Sequence, residues 1–153
     1  YLRDVRVTSI YEGTNGIQAM DLVARKMMDG GEAAYRMFDE GEKLAELARA
    51  IVPDLADRVW SAAETLRETV EWLVEQELQD RFAGAVPFLG ASARVLGAFY
   101  HLKAASAEGG KGPRTALARF YIERLLPEHR SLIARAKAGA EGLYAVRAED
   151  LAR

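Results

Sequence analysis

Apolar positions along the chain recur mostly at intervals of three and four, the period of an α-helix. Ile17, Met20, Ala24 and Met27 form one such row, so residues 16–29 read as an amphipathic helix. The Gly30-Gly31 pair then breaks it. A second helix is predicted over 32–50, with Leu44, Leu47 and Ile51 on one face. Pro53 suits the first turn of a third, where its missing N–H costs nothing. That helix carries Val59, Ala62, Ala63, Leu66, Val70, Leu73 and Val74, a stripe reaching to about Leu78. "DRFAGAVP" (80–87) reads as a loop. A fourth helix over 88–107 has Leu89, Leu96, Phe99 and Tyr100 in register and many small residues for close packing. "AEGGKGP" (107–113) is the clearest loop. A fifth helix over 113–140 presents Leu117, Phe120, Tyr121, Leu125, Leu132 and Ile133, and Pro127 kinks or divides it. The final "EGLYAVRAEDLAR" reads as a frayed or docked tail. "VRVTSIY" (5–11) alternates like a strand, but a single strand has nothing to pair with. The sum is an all-α fold, an antiparallel helical bundle with short connections. No internal repeat or low-complexity tract appears.

Composition narrows the chemistry. The chain has 153 residues, a length that suits one core. Its net charge of -2, with both signs mixed along it, gives no basic field for nucleic acid and no polybasic patch for a membrane. It has no cysteine, which excludes disulfides, thiolate nucleophiles and cysteine-based zinc sites within it. A reducing compartment is compatible with that usage, and a cytoplasmic location is the expectation. No apolar run approaches the roughly 20 residues that span a bilayer. The chain opens on Tyr1 with no signal peptide, so a processed product or a piece of something longer is expected.

The stretch "IYEGTNGIQ" (10–18) holds the candidate chemistry. Asn15 is a favoured N-cap, and Gln18 lies three residues on, as in a capping box. Thr14 is a second capping candidate. Gly13 and Gly16 let the backbone turn tightly and leave room for a ligand to approach. Free N–H groups at a helix start attract anions. Residues 12–16 therefore gather a carboxylate, polar side chains and backbone donors within one turn. A solvated Glu12 before a capped helix is the commoner meaning of such a pattern.

The wider segment "DVRVTSIYEGTNGIQAMDLVARKM" (4–27) changes that balance, because it resembles the catalytic-base segment of flavin-dependent acyl-CoA dehydrogenases. The shared positions are Arg6, Ile10, Tyr11, Glu12, Gly13, Thr14, Ile17 and Gln18. "FLGASARVLGAFYHLKAA" (88–105) and "ALARFYIERLLPEHRSLIARAKAGAEGL" (116–143) are similar to the extra C-terminal helical domain of the long members, the acetyl-CoA-dehydrogenase-like or methylmercaptopropionyl-CoA-dehydrogenase-like subgroup. The resemblance implies that Glu12 removes the α-proton of a bound acyl-CoA thioester while a hydride leaves the β-carbon for FAD. It implies that the backbone N–H of Glu12 polarises the thioester oxygen, that Gly13 meets substrate, and that Thr14, Asn15 and Gly16 touch FAD. A dry site would raise the carboxylate's pKa toward that of a useful base. The domains that cover the flavin are missing from this sequence. The resemblance therefore implies a C-terminal portion, inactive alone: residues 1–29 close the catalytic core, and 32–153 form the appended bundle. A homodimer and an electron-transfer flavoprotein as electron acceptor are further implications. The rival reading is a free-standing helical assembly module that keeps the motif without using it.

The remaining residues read as structural. His101 and His129 have no partners at metal-ligand spacing, so no metal site is expected. "GGKGPRT" (109–115) lacks the spacing of a phosphate loop and follows a helix. Trp60 and Trp72 read as core or interface residues, and Met27-Met28 as core filling. The run 58–81, with Glu64 and Glu68 repelling and Arg67 and Glu71 attracting, reads as a solvated helix face.

Overall fold

The computed structural model describes residues 3, 6–10 and 14–151, and Glu12 lies outside them. No strand occurs among the described residues, and the fold is an all-α bundle. The main helices are α1 (Asn15–Val23), α2 (Glu32–Ala48), α3 (Pro53–Glu75), α4 (Leu78–Ala107), α5 (Pro113–Phe120) and α6 (Glu128–Ala136). The alternating stretch forms a 3-10 turn, Arg6–Ser9, instead of extended chain. α5 and α6 run in one direction, antiparallel to α4: Tyr121 lies at Ala93 and Gly97, Leu132 at Gly90 and Ala136 at Gly84.

α4 is the axis. It packs against α1, α2, α3, α5 and α6. At 30 residues it is roughly 45 Å long. Its first third is the stretch "DRFAGAVP", so the expected loop at 80–87 is overturned. Both apparent breakers serve packing. Gly84 has no room for a side chain, since a Cβ there would lie within 2.2 Å of the Ala136 carbonyl oxygen of α6. Pro87 is buried inside the helix, where core contacts on every side offset the backbone bond it forfeits. Arg81 ties the start of α4 to the end of α3 by donating to the Gln76 carbonyl (2.9 Å) and the Val74 carbonyl (2.5 Å). These carbonyls otherwise end a helix without partners. α4 is also the one described helix long and apolar enough, by length and composition, to cross a bilayer. The sequence reading missed that window because scattered charges interrupt the run without exceeding two within it. In the bundle it contacts five other helices, while Leu78, Val86 and Tyr100 on it are exposed.

One core cluster runs through the molecule, built from Val23, Phe38, Leu55, Leu66, Leu73, Phe88, Leu102 and Ile122 with a large complement of alanines. The stripe expected on α3 is buried as read, from Val59 through Leu73. Elsewhere the expected faces are rotated. On α2 the buried row is Phe38, Gly41, Ala45 and Ala48, while Leu47 and Ile51 are exposed. On α4, Tyr100 is exposed. Leu117 and Phe120 face outward, and Thr115, Ala118 and Ile122 face in. The expected fifth helix is divided: after α5 a π-helical turn (Tyr121–Leu125) precedes Pro127, and α6 ends at Ala136. The tail, with short turns Glu141–Tyr144 and Ala148–Leu151, is exposed throughout, held at Ala140 by its N–H donating to Asp80 Oδ1 (2.8 Å).

Candidate functional site

The motif sits at the head of α1. Glu12 and Gly13 lie outside the described residues. Thr14, Asn15 and Gly16 are brought together in the first turn. The expected capping box is absent. Thr14 already has helical dihedrals (φ -95°, ψ -14°), so Asn15 is drawn inside the helix instead of capping it. Thr14 makes no side-chain cap bond, and its carbonyl accepts from Gln18 N at 2.9 Å. First-turn amides have no partners within a helix, and among the described residues no side chain caps those at the start of α1. Asn15 and Gly16 are exposed, and the space a Cβ would take at Gly16 is empty to 4 Å. The arrangement suits an anionic group, such as a dinucleotide phosphate, approaching the helix head.

α1 is shorter than expected. It stops at Val23 and passes through a 3-10 turn, Arg25–Met27. Its buried residues are Ala19 and Val23, followed by Met27, while Ile17, Met20 and Met28 are exposed. Only Met27 of the methionine pair fills core. Asp21 and Arg25 form a two-pronged pair at 2.6 and 2.9 Å, which holds the Asp21 carboxyl below its ordinary range. Next, Asp29 accepts from Gly31 N (3.0 Å) and Ala33 N (3.1 Å), so it caps α2 across the glycine turn. An aspartate three residues before the helix was the sequence signal for this cap.

The other conspicuous groups act structurally. His129 is 4% exposed. Its Nδ1 donates to the Leu126 carbonyl (2.6 Å), Nε2 has no partner, and burial pushes its pKa below the ordinary value. It lines a cleft of about 310 Å³ with Asp57, Arg58, Ser61 and Arg130. His101 stacks on Tyr121, with ring centres 4.5 Å apart. Among the described residues no cluster of metal-ligating side chains occurs. Glu108 occupies the head of α5, accepting from Thr115 N (2.9 Å) and Oγ1 (3.2 Å), which leaves no vacancy for a phosphate at "GGKGPRT". Arg67 does not face solvent toward Glu71. It turns to α2, donating to Glu42 (2.6 Å) and Asp39 (2.9 Å). Trp60 and Trp72 are half-buried beside the core, and the Arg49 guanidinium lies over the Trp60 ring.

Residues 27–147 match the family described as acetyl-CoA dehydrogenase C-terminal like. The chain belongs to this family. The matched span contains α2 to α6 and begins where α1 has ended, so α1 and the motif lie just upstream of it. The chain is also similar to 3-methylmercaptopropionyl-CoA dehydrogenase from Ruegeria pomeroyi, at 37% identity over 98 residues. That alignment covers 58% of this chain and 16% of the relative, so the chain spans about a sixth of the relative's length. Membership of the acetyl-CoA dehydrogenase C-terminal-like family bears out the resemblance carried by the helical stretches from residue 88 onward.

Proposed function

We propose that this chain is the C-terminal part of an FAD-dependent acyl-CoA dehydrogenase, with residues 1–29 closing the catalytic unit and 32–153 forming its appended bundle. The supporting observation is that the base motif stands in sequence immediately before a bundle of the acetyl-CoA dehydrogenase C-terminal-like family, and that the helix following it, Asn15–Val23, is rooted in that bundle's core. Glu12 takes the α-proton of the acyl-CoA thioester onto its carboxylate. The backbone N–H of Glu12 donates to the thioester oxygen as charge develops there. Gly13 leaves the substrate room. Thr14, Asn15 and Gly16 would hold FAD, whose anionic part meets the uncapped head of α1. When bound, FAD supplies the acceptor for the β-hydride, and the product is a 2-enoyl-CoA. The bundle alone lacks the walls of such a pocket and is inactive. The relative's name offers 3-methylmercaptopropionyl-CoA as one substrate to try. A homodimer, a cytoplasmic location and an electron-transfer flavoprotein as acceptor complete the reading.

The test uses the complete protein. Its flavin absorbance is followed without oxygen while a panel of acyl-CoA thioesters is added, and bleaching by one of them is the expected outcome. Glu12→Gln should keep the flavin and slow the bleaching by roughly 10²–10⁴-fold, the usual worth of a positioned base. Bleaching at the unsubstituted rate would remove Glu12 from its role.

A further inference from the structure

α1 carries two apolar rows, and only one of them is covered. At about 100° per residue, Ala19 and Val23 lie roughly 110° around the helix from Ile17 and Met20. The inner row is completely buried against the bundle, chiefly on α4, with Leu22 packed beside it. The outer row leaves Ile17 68% and Met20 42% exposed, and Ile10, upstream, is 78% exposed. A helix apolar on both sides is a helix buried on both sides. What covers the outer row follows from two lengths. The family match starts at Met27, after α1. The chain spans 16% of its relative, so most of such a protein lies outside the bundle.

We propose that α1 is shared between two packing units: its inner row seated on α4, its outer row on the apolar surface of the flavin-binding portion of the same polypeptide. This rests on the dehydrogenase reading above. The consequence is mechanical. Thr14 to Gly16, the described end of the motif, form the head of a helix whose seat is built by the appended bundle, so Val23 is a positioning residue for the base that precedes them in sequence. Loosening that seat shifts the head of α1, and such misplacement lowers turnover more than it lowers binding.

Two measurements on the complete protein test this. The first is oxidative footprinting of methionines, read by mass spectrometry. On exposure alone, 42% at Met20 against 82% at Met28, their rates should differ about twofold. The shared helix predicts Met20 slower on the order of tenfold, because sulfoxide formation follows access. A twofold ratio overturns the covered outer row. The second compares Val23→Ala with Val59→Ala, a buried valine of α3. Both remove the same atoms from the core. Val23→Ala is expected to lower kcat on the order of tenfold and to shift its pH profile, with KM and flavin content unchanged, while Val59→Ala leaves kcat unchanged. Equal effects of the two, including none, overturn the positioning role. If no thioester bleaches the flavin of the unsubstituted protein, the dehydrogenase reading fails, and the footprint still decides whether α1 is covered.

Discussion

Two glycines of α4 should respond to alanine with opposite signs. Gly84 and Gly90 both look toward α6. Alanine in a helix interior is worth about 1 kcal/mol over glycine. At Gly90 the new methyl would lie 3.4 and 3.6 Å from the δ-methyls of Leu132, ordinary contact against a flexible tip, so that gain should be kept. At Gly84 it would lie 2.2 Å from the Ala136 carbonyl oxygen and 3.0 Å from the carbonyl carbon, both backbone. Neither can swing away, so α4 and α6 must separate by about 1 Å, at about 3 kcal/mol, the upper range for overpacking. Set against the helical gain, the net loss is about 2 kcal/mol. For a chain of this size, 1 kcal/mol moves Tm by about 2–4 °C. Gly84→Ala should therefore melt about 6 °C lower, and Gly90→Ala about 3 °C higher. Urea unfolding at constant m-value gives the same comparison as free energies. If Gly84→Ala stabilises like Gly90→Ala, the α6 backbone is not seated at Gly84 and the packing described above is wrong.

Arg67→Ala should destabilise by about 2 kcal/mol in urea unfolding, because it strands Glu42, whose side chain is 15% exposed, without its cation. Arg67→Met with Glu42→Leu should recover most of that loss; if the single substitution is silent, the bridge between α2 and α3 contributes nothing. His129 gives a pH dependence. Burial lowers its folded-state pKa, so the unfolded chain takes up the proton first as pH falls. Stability is then full above about 6.5 and declines as pH drops from there toward the folded-state value. His129→Asn can still donate to the Leu126 carbonyl and does not titrate. It should flatten the fall in unfolding midpoint as pH drops below about 6.5. His101, also lowered by burial, accounts for some residual slope, and an unchanged slope would refute the role of His129.

α3 was legible because large and small apolar residues share one side of it, so period and burial agree from Val59 to Leu73. The start of α4 was not. Gly84 and Pro87 are local break signals, and what overrides them at Gly84 is the backbone of α6 at Ala136, 52 positions away, a contact no short window contains. The capping box failed for a smaller reason: Thr14 took helical dihedrals and shifted the helix start by one residue. The family was legible in the helical stretches from residue 88 onward, which fall within the matched span 27–147, whereas the eight positions at 6–18 lie upstream of it and the structure describes the helix behind the glutamate and not the glutamate itself.

The rotated faces share a cause. On α1, α2 and α5 small residues make up much of the inner row: Ala19 beside Val23, then Gly41, Ala45 and Ala48 after Phe38, then Thr115 and Ala118. Small side chains bring helix backbones together, and the burial they gain lies in contacts that a hydrophobicity count undervalues. Large residues dominate such a count, so periodicity selects Ile17 with Met20, Leu47 with Ile51, and Leu117 with Phe120, all of which face outward. An outward row of large apolar residues is ordinary when its members are scattered. On α1 it is not scattered, because Ile17 and Met20 stand one turn apart at the head of a helix already fixed from behind. The period in the sequence registers burial in the whole polypeptide, whereas the bundle displays only its own share. For α1 the two disagree by roughly a third of a turn, and the oxidation rate of Met20 against Met28 decides whether that disagreement marks the proposed seam.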